Sequence, residues 1–184
     1  MKVTAYFDGA VEPMNPGGHG GYGVVVYRDD QVLFSEAVYV GRWPELSNNV
    51  AEYCGAIGVL RFLISAGITE ARVRGDANIV INQLNGRWKA RAGAYLPYYR
   101  EAYTLRSKLP DVQFEWVPRE MNAAADELSK QAVTTRPRMR TFDLDASLEL
   151  IATPKFKARK RKRDMREPPV VQDDAWETFK LRYG

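Results

Sequence analysis

Four acidic residues in four separate segments, Asp8, Glu52, Asp76 and Asp126, hold the chemistry of this 184-residue chain. Asp8 comes late in the alternating run VTAYFDGA, and Glu52 falls in the first turns of a helical pattern in LSNNVAEYCGAIGVL. Asp76 stands where a strand gives way to a helix in ARVRGDANIVINQL, and Asp126 in the helix start of EWVPREMNAAADELSK. Each context puts a carboxylate at an element's end or on a small-residue surface. A fold that gathers them concentrates like charge, and carboxylates at contact distance repel. A divalent cation relieves that repulsion. Oxygen-only ligands suit a hard ion such as Mg²⁺, which keeps waters and shares substrate phosphates. Phosphodiester hydrolysis is one reaction that such acids would support. It needs an activated water, a polarised phosphorus and a stabilised leaving oxygen, and two ions about 4 Å apart can serve all three. Acids at helix N-termini also stabilise the helix dipole, which by itself would account for Asp76 or Asp126. Asp29 and Asp30 fall in a hairpin turn that favours aspartate locally. Glu120 flanks the last motif, and Glu127 is one residue off the chosen position, on another helix face.

The elements that must position these acids are legible in outline. Residues 2–8 alternate, with Val3, Ala5 and Phe7 on one side. NPGGHGG is a turn-rich link, with His19 as a local loop residue, and GYGVVVYR and QVLFSEAVYVG are strands joined at Arg28-Asp29-Asp30. Ser47 or Asn48 caps a helix over about 49–66, with Val50, Tyr53, Cys54, Ile57, Leu60 and Ile64 on one stripe. EARVRGD is a fourth strand, NIVINQLNG a short helix, 94–108 a helix rich in Tyr and Leu, VQFEWVP a fifth strand and NAAADELSKQAV a last helix. The order βββαβααβα predicts an α/β fold, a mixed five-stranded sheet with helices on both faces.

Composition bounds the rest. Apolar residues make up 45% of the chain, enough for a core, and no run of 18 is uninterrupted, so no membrane span is expected. The N-terminus enters a strand pattern at once, without a signal-peptide pattern, so a cytoplasmic location is expected. A lone cysteine, Cys54, excludes an intrachain disulfide and a Cys-rich zinc site and reads as a small core residue. The net charge of +4 is uneven: residues 1–134 hold 14 basic and 15 acidic residues, residues 135–184 hold 13 and 8. Two units are therefore expected, a catalytic domain over 1–134 and a basic, partly disordered extension over 135–184. KFKARKRKR carries seven basic residues in nine, and such runs contact polyanions. AWETFKLRYG places Trp176, Phe179 and Tyr183 at helical spacing, which suits docking on a protein partner.

Taken in order, FDGA with NPGGHGGYGVVV, SNNVAEYCGAI, RGDANIVINQLNG and WVPREMNAAADELS resemble the ribonucleases H of type 1. The spacings between the acids, 44, 24 and 50 residues, are also similar to that family's, and the resemblance covers residues 1 to about 134. It implies the sheet order 3-2-1-4-5 and an endonuclease that cuts the RNA strand of RNA/DNA hybrids, leaving 5′-phosphate and 3′-hydroxyl ends. It implies two Mg²⁺ ions, with Mn²⁺ able to substitute. Asp8 would bridge them, Glu52 and Asp76 would hold one, and Asp126 the other. The family's loop histidine has no counterpart here. Arg119 stands near its place, and an arginine cannot act as a base but can hold a phosphate; a solvated loop arginine is the alternative reading.

Hybrids are read through 2′-hydroxyls and backbone shape. The resemblance assigns such contacts to Asn15, Asn48, Asn49 and Asn78, and a DNA-phosphate contact to Ser47; plain helix capping by Ser47 or Asn48 is the simpler role and is compatible with such a contact. Ala77 replaces a serine common in the family. Arg87, Trp88, Lys89 and Arg91 form a compact basic segment that could grip the DNA strand, or Trp88 could pack in the core. The expected partner is an RNA/DNA hybrid bound by a monomer, with no membrane. Two rival readings are a non-catalytic nucleic-acid-binding module on the same fold, and a nuclease of that fold acting on junctions or single strands.

Overall fold

The computed structural model describes residues 3–136 and 139–142. Strands β1 (Val3–Glu12), β2 (His19–Arg28) and β3 (Gln31–Arg42) form an antiparallel meander. Helix α1 (Asn48–Ser65) leads into β4 (Glu70–Gly75), α2 (Asn78–Leu84) and α3 (Leu96–Ser107). β5 (Asp111–Trp116), a 3₁₀ turn at Arg119–Met121, α4 (Ala123–Thr135) and β6 (Met139–Phe142) complete the order. The sheet runs β5-β4-β1-β2-β3-β6, with β4 parallel to β1 and to β5. The expected order 3-2-1-4-5 is present. Met139–Phe142, placed by the sequence in the extension, adds a sixth strand against β3. Pro137 and the basic, polar run around it hid that strand from a pattern of alternating apolar residues.

Sheet and helices meet through two faces of different character. On one, Val3, Ala5, Phe7, Val24 and Val26 bury against α1, whose Tyr53, Ala56, Ile57 and Leu60 are almost fully enclosed. Each large apolar side chain buried there contributes about 1.5–3 kcal/mol. The expected single stripe on α1 is too narrow. Ala51, Val59, Phe62 and Leu63 are buried as well, whereas Ile64 is 37% exposed. The cause is that α1 is enclosed by the sheet on one side and by α3 on another. On the opposite face α4 packs on β1, β2 and β3. Contact there is close because Gly23 has no side chain: a Cβ would lie 2.3 Å from the Ala125 carbonyl oxygen. Among the described residues, no helix is long and apolar enough to cross a membrane.

One further expectation changes. His19 is not in the link but opens β2, where its Nδ1 lies 2.7 Å from the Tyr39 hydroxyl and its Nε2 3.1 Å from Arg136 Nη2. Trp88 is half exposed, which sets aside the alternative of packing in the core. Cys54 is buried, as its apolar neighbours suggest. The basic run and AWETFKLRYG lie outside the described residues.

Candidate active site

The last β1–β4 pair is Tyr6↔Arg74, so at Asp8 the β4-side edge of β1 has no strand beside it. β4 has ended at Gly75, and the chain turns there into α2, which leaves Asp76 at the gap. From the other side α1 presses against β1 at Gly9, where a Cβ would lie 2.2 Å from the Glu52 backbone nitrogen. That close approach carries the Glu52 side chain to the same gap. Carboxylate oxygens of Asp8, Glu52 and Asp76 come within 4.8 Å of one another. Three elements distant in sequence thus converge at the C-terminal end of the parallel strands, the usual place for a site in an open α/β sheet.

Secondary contacts fix each acid. The Ser129 hydroxyl of α4 donates to Asp8 Oδ2. Asn122, only 1% exposed, donates its amide to the Phe7 carbonyl at 2.9 Å and to Asp76 Oδ1 at 3.2 Å. The Trp116 indole N–H donates to the Asp76 carbonyl at 3.0 Å. Asp126, in the first turn of α4, lies outside the triad and is held at 2.5 Å by both Arg119 and Lys130. Arg119 is therefore neither free in solvent nor committed elsewhere; its side chain is 64% exposed and paired with the fourth acid.

The electrostatics follow from this packing. Burial, with Asp76 and Asp126 adding repulsion, pushes the Asp8 carboxyl up to about 7 despite the Ser129 hydrogen bond. Burial beside Asp8 and Asp76 holds Glu52 well above the usual carboxylate range, against a hydrogen bond from the Gly9 backbone. For Asp126 burial acts upward, but the hydrogen bonds from Lys130 and Arg119 outweigh it and hold its carboxyl below the ordinary value. Glu52 Oε2 is buried with no hydrogen-bond partner. An orphaned buried carboxylate oxygen is costly, and in a cluster of three carboxylates a hard divalent cation is the partner that answers both the repulsion and the missing contact. The donor set fits such an ion.

The expected substrate residues surround this centre by sequence position and differ in exposure. Ser47 caps α1, its Oγ accepting from the Val50 N–H at 3.4 Å. Asn15 Oδ1 accepts from the Asn48 N–H at 3.1 Å, which ties the β1–β2 link to the start of α1. Asn48 and Asn78 are exposed and Asn49 half-buried; Arg87, Trp88, Lys89 and Arg91 are exposed after α2. Sequence reasoning missed Asn122, Ser129 and Trp116. Asn122 precedes a helix and reads as an ordinary cap, yet its side chain makes no cap hydrogen bond and is spent on Phe7 and Asp76 instead.

Residues 6–132 match the family described as reverse transcriptase-like. The bifunctional protein Rv2228c of Mycobacterium tuberculosis is 37% identical over 155 residues, 83% of this chain, and the chain spans only 41% of that relative's length. The solved N-terminal RNase H domain of Rv2228c is 39% identical, with a TM-score of 0.66 over 72% of this chain and 99% of that one. LC11-RNase H1, solved in complex with an RNA/DNA hybrid, is 30% identical, with a TM-score of 0.66 over 73% of this chain and 99% of that one. Sequence and fold agree, and the chain belongs to the reverse transcriptase-like family and, within it, to the type 1 ribonucleases H.

Proposed function

We propose that the chain is a metal-dependent endonuclease that hydrolyses the RNA strand of RNA/DNA hybrids to 5′-phosphate and 3′-hydroxyl products. One observation carries this reading: the convergence of Asp8, Glu52 and Asp76 with an unpartnered Glu52 oxygen at the strand ends. A binding module without turnover gains nothing from buried, mutually repelling carboxylates. The choice of a hybrid is supported by a relative of the same fold that was solved with one.

Asp8, on the central strand, would be shared by two Mg²⁺ ions, with Glu52 and Asp76 on one and Asp126 on the other. When bound, those ions supply an activated water and charge stabilisation at the attacking and leaving oxygens. The protein's own part is placement. Ser129 sets the Asp8 carboxylate, Gly9 admits Glu52, and Asn122 with Trp116 holds Asp76 from its carboxylate and its carbonyl. Arg119 is a charge that can change partners. An ion pair made by an exposed arginine is worth about 1 kcal/mol or less, so moving from Asp126 to a substrate phosphate costs little and frees Asp126 Oδ1 as a ligand while Lys130 stays on Oδ2. Arginine stays protonated at working pH, so its role is to hold phosphate rather than to take a proton. Asn15, Ser47, Asn48, Asn49 and Asn78 supply short polar groups for 2′-hydroxyl and phosphate contacts, and Trp88 and Lys89 suit the sugar and phosphates of the DNA strand.

The test is cleavage of labelled hybrid, double-stranded RNA, double-stranded DNA and a four-way junction, each with Mg²⁺ and with chelator. Cleavage confined to the RNA of the hybrid, abolished by chelator, is expected. Equal cutting of the junction, or cutting in chelator, overturns the reading.

A further inference from the structure

The sheet face under α4 is covered at β1, β2 and β3. At β4 and β5 the same face presents Glu70, Arg72, Arg74, Asp111, Gln113 and Glu115, which alternate with the buried Ala71, Val73, Val112 and Phe114. Arg72 and Arg74 both pair with Glu115, at 3.5 and 3.0 Å. Where this face meets the β2–β3 turn lies a cleft of about 610 Å³ lined by Tyr6, Tyr27, Asp29, Asp30, Arg74 and Asn122 among others; the Arg74 guanidinium lies over the Tyr6 ring and donates to its hydroxyl at 2.9 Å. Asn122 Oδ1 is buried there without a hydrogen-bond partner. Across face and turn, five carboxylates (Asp29, Asp30, Glu70, Asp111, Glu115) stand against the two guanidiniums of Arg72 and Arg74, a net acidic surface with aromatic rings. Such a surface favours a cation carried on a flexible stem, which can pair with carboxylates and lie over tyrosine.

The chain is led to that place. β6 pairs antiparallel with β3, from Met139↔Ala37 to Phe142↔Phe34, so it runs toward Gln31 and the Asp29–Asp30 turn. From the level of Phe34 to Gln31 is about 10 Å at the usual strand rise. The basic run at residues 155–163 begins after twelve intervening residues, an extended reach of about 40 Å. We propose that residues 155–163 dock in cis on this acidic face, with lysine and arginine side chains entering the cleft beside Tyr27 and the Asp29–Asp30 turn, whenever no nucleic acid is bound. Exposed ion pairs are individually weak and salt-sensitive. A nucleic-acid backbone, with its denser charge, displaces the face and takes over the run. The basic run is thereby held close to the catalytic domain and released by substrate. None of this depends on which nucleic acid the site cleaves.

Zero-length carbodiimide coupling of the full chain tests the docking, because it joins a carboxylate to an amine only in contact. At low salt and low micromolar protein, Lys155, Lys157, Lys160 and Lys162 are expected to couple within one molecule to Asp29, Asp30, Glu70, Asp111 or Glu115, as read by peptide mass spectrometry. The yield should fall at least fivefold in Asp29→Asn/Asp30→Asn and in excess single-stranded DNA 20-mer. Glu70→Gln/Asp111→Asn, with its thermal midpoint recorded, guards against a folding defect in the first variant and should lower the yield as well. Absent coupling, coupling spread evenly to acids of other surfaces such as Glu45 and Glu101, yield that scales with protein concentration, or yield indifferent to DNA would each overturn the proposal.

Discussion

Asp8 has the least freedom of the acids: it is 6% exposed, set on a central strand, and fixed by the Ser129 hydroxyl. Asp8→Asn keeps shape and hydrogen bonding but removes the charge. It should lower turnover by more than tenfold, a barrier rise above about 1.4 kcal/mol, while hybrid affinity measured in Ca²⁺ is retained. Turnover within tenfold of the parent would refute the ligand role. Arg119 differs in kind, because its charge is mobile. If Arg119 meets the reacting phosphate, Arg119→Ala should slow turnover more than it raises KM. His19→Ala should leave turnover unchanged, because His19 is engaged with Tyr39 and Arg136 on β2 and not with the acids. Matching, negligible effects of both changes would return Arg119 to a solvent role.

At the scale of elements, the site depends on how closely α1 and α4 approach the sheet. Gly9→Ala places a methyl group 2.2 Å from the Glu52 backbone nitrogen, which no rotamer relieves. Overpacking of this sort costs about 1–3 kcal/mol. The expected result is a lower thermal midpoint together with weaker Mg²⁺ binding, because α1 must shift and Glu52 with it. Wild-type Mg²⁺ affinity in Gly9→Ala would show that Glu52 is not placed by this contact. Asn122→Ala acts through a different joint. It leaves the Phe7 carbonyl and the Asp76 carboxylate without their buried donor, at about 1–3 kcal/mol, and should weaken Mg²⁺ binding in titration calorimetry; unchanged affinity would show that Asn122 does not place Asp76.

For the whole molecule, the acid cluster makes stability depend on pH and on metal. Folding raises the Asp8 carboxyl to about 7 and Glu52 well above its ordinary value, so the metal-free folded state binds more protons than the unfolded chain across that interval. Stability therefore falls as pH rises from the ordinary carboxylate range through about 7. Calorimetry without metal should give a higher midpoint at pH 5.5 than at pH 8, as far as these groups decide it. Mg²⁺ should raise the midpoint more at pH 8, where the acids are ionised. Glu52→Gln should raise the metal-free midpoint at pH 8, by about 2–4 °C for each kcal/mol relieved, and abolish the gain from Mg²⁺. A Mg²⁺ gain of equal size at both pH values would sink this account. Neutralising the seven basic residues of 155–163 should raise KM at moderate salt and flatten its salt dependence, since fewer counterions are released. Superimposable salt curves would remove the run from nucleic-acid binding.

Residue type and local order alone determined much of this protein. Four acids in four motifs, the meander, the helix capped by Ser47 and the βαβ steps are written in short stretches, because alternation, helical spacing and turn residues act over a few positions. What the sequence could not yield are consequences of approach between distant segments. Asn122 looks like a cap until β1 and the Asp76 loop are brought to it, 115 and 46 residues away. Asp126 looks like the equal of the other acids until Arg119 and Lys130 are seen to hold it. The burial of α1 on two sides depends on α3 lying over it, and β6 depends on the backbone hydrogen bonds that the edge of β3 offers rather than on its own apolar pattern. The raised carboxyls of Asp8 and Glu52 belong to the tertiary structure most of all. Desolvation and like charge at contact distance exist only once the chain has folded.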